Sequence, residues 1–191
     1  DNILEYVPKR PCPVASCCFA TPEEPVDVKA LIPDANLRRR MGPLLRLAAA
    51  CGMAALENVD TGNVAGIITS TGLGFMKDTV SFADMLIDRN EEMLNPSPFM
   101  QSTFNTVSGY IALLGGIRTY NTAYVHRSGG FAAALTDAMM LVEDGNVLVG
   151  GFDEASPEVD EYRRRLGCWK RGDFLPLGEG AGFLCLGGGD N

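Results

Sequence analysis

Hydrophobic positions along the chain switch repeatedly between a strand-like run and a helical period. Residues 1–35 form a Pro-rich lead-in, with Pro8, Pro11, Pro13, Pro22 and Pro25 among them, so long helices are not expected there. Within it, Val14 to Phe19 reads as a short strand. From Leu37 the period changes. Leu37, Met41, Leu44, Leu45, Ala48, Cys51 and Ala55 recur at helical spacing and predict one long helix. Asn36 is its expected cap, and Asn58 with the Thr61-Gly62-Asn63 turn its expected end. Val64 to Ser70 reads as a buried strand, followed by a tight turn, Thr71-Gly72-Leu73-Gly74. A helix over 77–89 turns Phe82, Met85 and Leu86 inward. After the Asn95-Pro96-Ser97-Pro98 loop, a second apolar helix is predicted from Met100 to Leu114, stopped by Gly115-Gly116. Arg118 to Val125 has strand composition. The turn His126-Arg127-Ser128-Gly129-Gly130 leads to a helix from Phe131 to Glu143. Asn146 to Gly151 is another buried strand, and a polar hairpin segment from Arg171 leads into a last one, Gly182 to Leu186. Strands alternating with helices of this length specify an α/β fold with a largely parallel sheet and helices on both faces. No repeat, low-complexity tract or internal boundary divides it.

Composition narrows the possible roles. The chain has 191 residues, 46% hydrophobic, enough for a true core. Its 24 acidic residues against 16 basic ones give a net charge of −8, which argues against a nucleic-acid coat. The runs Arg38-Arg39-Arg40 and Arg163-Arg164-Arg165 are short and read as solvated helix faces. No apolar run approaches the roughly 20 residues that span a bilayer, so no membrane span is expected. No signal peptide is visible at the start of the sequence. The six cysteines (Cys12, Cys17, Cys18, Cys51, Cys168, Cys185) contain no CxxC pair, and His126 is the only histidine, so no metal site is expected. Reduced thiols packed as small hydrophobes fit a reducing, cytoplasmic setting. No cofactor is expected either. Gly72 and Gly74 lack the third glycine of a dinucleotide loop, its place being taken by Lys77, and no Walker sequence is present.

The chemistry concentrates at Tyr120 to Phe131. A strand ends, a small polar residue sits in a sharp turn, and a long helix begins, as in a nucleophile elbow. Ser128 stands in that turn, with Gly129 and Gly130 allowing close backbone approach. His126, two residues earlier, shares its face if the strand continues. One reading is a Ser128–His126 acyl-transfer site. The other is that Ser128 caps the helix and His126 is a surface or interface residue. The second is favoured because no third group is evident to orient the imidazole; a polar group such as Asp153, Glu154 or Asn105 would have to reach it.

Several strings resemble the N-terminal half of the β-ketoacyl synthases, the thiolase-like condensing enzymes. They are Arg39-Arg40-Met41 ahead of an Ala-rich helix, Gly150-Gly151-Phe152-Asp153-Glu154 after a strand, and Gly178-Glu179-Gly180-Ala181-Gly182. The strings at 95–106 and 120–127 are similar, more closely, to the short synthase-like N-terminal domain proteins of aryl-polyene and flexirubin type pathways. The resemblance covers about residues 30 to 187 and implies a thiolase-like half, a βαβαβ-type layered sheet. It implies a single domain over 1–191 in which the C-terminal catalytic half is absent.

The departures shape what the resemblance implies for function. A condensing synthase carries a cysteine at the elbow, and counting back from Gly145 places that position at Ser128, within one residue. No cysteine lies between Cys51 and Cys168. A serine ester is a poor substitute without an activating base. The family also draws two histidines from its second half, which this chain does not carry. The expectation is therefore a catalytically degenerate synthase-like subunit of fatty-acid or polyketide (polyene) synthesis, shaped like a chain-length factor. Alternatives are an acyltransferase or thioesterase using Ser128 and His126, and a structural domain that binds acyl carrier protein. Expected partners are acyl carrier protein or an acyl thioester, and an active ketosynthase subunit in a homo- or heterodimer. Carrier proteins are acidic, which makes Arg38–Arg40 and Arg163–Arg165 the expected dock. Arg118, Thr119, Tyr120, Thr122 and Tyr124 are the expected interface, since the family's strand before the elbow pairs across a two-fold axis. Gln101, Thr103, Phe104 and Asn105, with Gly129, Gly130 and Phe131, are the expected substrate-facing wall. Phe104 replaces what is often a histidine in the closer family. Glu179 is expected to be held by backbone N–H groups.

Overall fold

The computed structural model describes residues 12–167 and 178–187. Five strands form one sheet: β1 (Val14–Ala20), β2 (Val64–Thr71), β3 (Tyr120–Val125), β4 (Asn146–Asp153) and β5 (Gly180–Leu186). Their spatial order is β1-β5-β4-β2-β3. β4, β2 and β3 run parallel, whereas β5 pairs antiparallel with both β4 and β1. The sheet is thus mostly, not wholly, parallel. The parallel part is the portion built from strand–helix–strand crossovers.

Helices cover both faces. In β2, Ile67 and Ile68 point to opposite sides by strand alternation. Ile67 joins Leu148, Phe183 and Cys185 beneath α3 (Pro43–Ala55) and α6 (Thr106–Gly115). Ile68 joins Val147, Val149 and Leu186 beneath α7 (Gly130–Leu141), through Ala134 and Ala138. Helix α3 is buried almost all round, and a Cβ at Gly52 would overlap Ile111 of α6. Glycine is what lets those two helices close on each other.

Two predicted helices are broken. The run from Leu37 divides into α2 (Ala35–Arg40) and α3, and Asp34, not Asn36, caps α2 by accepting from the N–H of Asn36 and Leu37. Pro43 starts α3 at its first position and forces Gly42 to extended backbone (φ −63°, ψ 165°). The run from Met100 divides into α5 (Pro96–Gln101) and α6, because the Ser102 and Thr103 hydroxyls donate to the Phe99 and Met100 carbonyls and close the first helix. Gly116 then ends α6 in the left-handed region, as expected (φ 66°). The lead-in is less irregular than its prolines suggest. It holds β1 and a one-turn helix, α1 (Val28–Leu31), capped by Asp27.

The remaining helices are α4 (Met76–Asp88), a turn from the expected place at most, and α8 (Pro157–Arg165), which carries Arg163–Arg165 on its last turn. Phe82, Met85 and Leu86 of α4 are only half-buried, and no residue of that helix is fully enclosed. The hairpin segment from Arg171, and Cys168, lie outside the described residues up to Gly178.

Candidate functional site

The elbow forms at the end of β3. The His126 N–H donates to the Thr71 carbonyl at 3.1 Å, extending the ladder one residue past the strand. The chain then turns through Arg127, Ser128 and Gly129 into α7. Gly129 occupies the cap position and supplies no side chain. The His126 imidazole engages the turn ahead of the helix. His126 Nδ1 accepts from the N–H of Gly129 at 3.0 Å and of Ser128 at 3.4 Å. An accepting Nδ1 carries no proton, so the neutral ring holds its proton on Nε2. The ring is therefore engaged with the backbone of the turn and not with the Ser128 hydroxyl, which makes no hydrogen bond among the described residues. No side chain takes the helix-capping role expected of Ser128: the cap residue is Gly129, and the two N–H groups that donate to His126 lie before and at the cap, not in the first turn of α7 where a capping serine would bond.

None of the three candidate orienting groups serves the imidazole. The Asp153 carboxylate accepts from the Thr71 hydroxyl at 2.8 Å and from the N–H groups of Gly72 and Leu73 at 3.0 Å, fixing the turn after β2. Glu154, 4% exposed, accepts from the Lys77 N–H at 2.8 Å and pairs with Lys77 Nζ at 3.3 Å. Asn105 precedes α6, where its carbonyl accepts from the Ser108 hydroxyl.

Lys77 does not stand out in the sequence as more than a missing glycine, yet it ties the site together. Its ammonium also meets Glu179 at 3.0 Å, so among the described residues Glu179 is held by a lysine and not by the backbone N–H groups expected. Burial pulls the Lys77 pKa down, but the two carboxylates outweigh it and leave it above its ordinary value. Three segments distant in sequence are joined there: the end of β4, the start of α4 and the turn into β5. The glycines of that turn serve close approach. A Cβ at Gly180 would lie 2.7 Å from the Ala20 carbonyl, and one at Gly182 would lie 2.7 Å from the Phe19 ring.

The expected substrate wall is divided. Gln101, Thr103 and Asn105 line an open groove of about 810 Å³ that also takes in Arg39, Arg40 and Met100. Within it Gln101 is occupied: its Oε1 accepts from the Gly42 N–H at 2.7 Å and its Nε2 donates to the Arg40 carbonyl at 2.6 Å. Thr103 shares a 2.6 Å hydrogen bond with Thr106. Phe131 faces a different hollow of about 390 Å³, beside Ser70, Gly151 and Asp153. Phe104 lines neither. Its ring lies over Gly74 (φ 69°), where a Cβ would come within 2.7 Å. Gly129 and Gly130 are part of the elbow, Gly130 buried against Ser70.

Of the expected interface residues, Arg118 and Thr119 precede β3, and the Thr119 hydroxyl donates to the Val64 carbonyl at 2.8 Å. Tyr120, Thr122 and Tyr124 lie on the outermost strand. The Tyr120 and Tyr124 hydroxyls both donate to Asp137 Oδ2 on α7, at 3.0 and 3.1 Å. Among the described residues no three His, Cys, Asp or Glu side chains gather as metal ligands, and no helix is long and apolar enough to cross a membrane.

Comparison with known proteins gives a consistent picture. The sequence pattern of the β-ketoacyl synthase N-terminal domain matches residues 13–167. A search of curated proteins finds no significant match. Among solved structures, the chain resembles one from the complex of the ketosynthase ApeO with its chain length factor ApeC from Xenorhabdus doucetiae. The TM-score is 0.72 at 18% identity, covering 96% of this chain and 81% of that one. It also resembles the ishigamide ketosynthase/chain length factor, with TM-score 0.68 and 17% identity over 86% of this chain and 48% of that one. A type II polyketide synthase complex of an acyl carrier protein with its ketosynthase bound to the hexaketide gives TM-score 0.68 at 18% identity, covering 91% of this chain and 61% of that one. The chain thus spans about half to two thirds of the length of the latter two. The family match runs from the start of β1 through α8 and includes the elbow, and on that ground the chain belongs to the β-ketoacyl synthase N-terminal domain family.

Proposed function

We propose that this protein is a non-condensing partner subunit of a β-ketoacyl synthase in fatty-acid or polyketide (polyene) synthesis, acting as a chain-length factor does, by shape. The observation that carries the reading is the elbow. Where the family places a cysteine, this chain presents His126-Arg127-Ser128, and His126 Nδ1 is spent on the N–H groups of Ser128 and Gly129. A hydroxyl with no base beside it is a weak nucleophile at neutral pH. The scaffold supports docking: β3 leaves one edge of the sheet open, and the groove by Arg39 and Arg40 joins cationic to apolar walls. An acidic acyl carrier protein suits that groove. The subunit would pair through β3 with an active synthase and shape the path of the growing acyl chain.

Intact-mass spectrometry after incubation with acyl carrier protein thioesters tests the reading, with Ser128→Ala alongside. The expected result is no acyl adduct on either protein. A stable adduct on the wild type that disappears in Ser128→Ala overturns it in favour of an acyltransferase or thioesterase.

A further inference from the structure

The fold divides the run Arg38-Arg39-Arg40. Arg39 and Arg40 line the groove beside α5 and α6, whereas Arg38 lines a separate hollow of about 340 Å³. The walls of that hollow are apolar: Pro22 and Pro25 of the lead-in, Val28 of α1, and Pro43, Leu44 and Leu47 of α3. Three cations from three successive helices meet there, Lys29 of α1, Arg38 of α2 and Arg46 of α3. Apolar walls with a few charges, at the low end of the usual volume range, are the make-up of a small-molecule site.

The charges around the hollow are unbalanced, although the chain as a whole carries −8. Among the described residues no carboxylate pairs with Lys29, Arg38 or Arg46. Glu179, the one acidic residue among those lining the hollow, is bound to Lys77 at 3.0 Å. Asp27, two residues before Lys29, spends its carboxylate on the N–H groups of Lys29 and Ala30 at the start of α1. Arg38 is fixed in place, because its Nη1 donates to the carbonyls of Ile32 and Pro33. Its Nε and Nη2 are left for another acceptor. Arg38 and Arg46 are both half-buried. A guanidinium partly withdrawn from water without a counter-charge is unfavourable, and an anion beside it offsets that loss.

We propose that this hollow binds a small carboxylic acid with an apolar chain. The carboxylate lies among Arg38, Arg46 and Lys29, and the chain lies along Val28, Leu44 and Leu47. A guanidinium fork donates two parallel hydrogen bonds to a planar carboxylate, which is why this head group fits two converging arginines. The site is separate from the elbow and from the groove at Arg39 and Arg40. It rests on the groups around the hollow and not on the role proposed for the subunit.

Two-dimensional amide NMR of the full chain, titrated with sodium octanoate at constant ionic strength, tests it. The expected result is saturable shifts at Val28, Lys29, Arg46 and Leu47. Acetate, which lacks the chain, and octanol, which lacks the charge, are expected to give no saturation over the same range. Arg46→Gln is expected to weaken octanoate binding by about tenfold, and Lys29→Gln by about threefold. Lys29 is exposed, so Lys29→Gln serves even where Arg46→Gln disturbs the fold, which loss of spectral dispersion would report. Absence of saturable shifts, shifts centred on the groove at Met100 or on the hollow at Phe131, or octanol binding as tightly as octanoate overturns the proposal. So does an octanoate affinity that folded Arg46→Gln and Lys29→Gln both leave unchanged.

Discussion

Several side chains that a pattern reading assigns to a ligand are engaged by backbone groups of their own fold. Gln101 is the clearest. Its amide accepts from Gly42 and donates to the carbonyl of Arg40, so it bridges the break between α2 and α3 from a helix 59 residues away. Removing it leaves two polar groups at the break without their partner. Gln101→Ala is expected to destabilise the fold by about 0.5–1.5 kcal/mol, seen as a lower urea midpoint with unchanged slope. His126 is the second case, since its ring accepts from the N–H groups of Ser128 and Gly129 in the elbow. Its place in the elbow is evident in the sequence, but its role depends on which way the ring turns. Cys51 is the third: burial pushes its thiol well above the ordinary range, with Cys18 adding to the shift, consistent with a packing role. In native protein Cys51 is expected to resist iodoacetamide while the exposed Cys17 is modified, measured by peptide mass mapping.

At the scale of elements, β3 and α7 are joined by a polar clasp. Two tyrosines four residues apart on one strand share a single carboxylate oxygen of Asp137, which is nearly buried. For Tyr120 the hydrogen bond to that carboxylate holds the phenol pKa up; for Tyr124 desolvation comes first and the same hydrogen bond second. The folded state therefore retains phenolic protons that the unfolded state releases. An acid whose pKa is raised on folding contributes stability that is present below the ordinary phenol pKa of about 10 and is lost as pH rises above it. Thermal unfolding from pH 8 to 11 is expected to show a steeper loss of stability for wild type than for Tyr120→Phe/Tyr124→Phe. Equal slopes would mean the clasp does not couple folding to phenol ionisation. The clasp is not legible in the sequence, although Tyr120 and Tyr124 stand out there as interface residues. Their spacing places them on one face, but Asp137 is reached only because α7 crosses back over β3.

For the whole molecule, the α/β architecture positions two separate features where the sequence suggests one wall. The groove beside Arg39 and Arg40 lies against α5 and α6, whereas the hollow at Phe131 opens beside the ends of β2 and β4. Reversing charge in the groove is the direct test of carrier docking. Arg39→Glu/Arg40→Glu is expected to weaken binding of an acidic acyl carrier protein by on the order of tenfold at low salt, with a smaller effect at high salt. Titration calorimetry at two ionic strengths reads both. Arg163–Arg165, the other expected dock, is partly occupied: Glu161 binds Arg164 and Arg165, and those arginines hold its carboxyl down at about 2.

Local pattern is sufficient where burial repeats within one element. Ile67 and Ile68 in β2, the Ala-rich face of α3 and the left-handed stop at Gly116 each follow from spacing or from the conformational freedom of a single residue. The strand–turn–helix elbow follows in the same way. What the tertiary structure alone decided depends on groups brought together from far along the chain. Lys77 meets Glu179 across 102 residues, and Gln101 reaches the break at Gly42. β5 runs against β4 and β1, a direction that hydrophobic period does not encode, because a strand buries the same face whichever way its neighbour points. Periodicity records which side of an element leaves water; partner and direction are settled only when the layers close and every buried polar group must find a hydrogen bond.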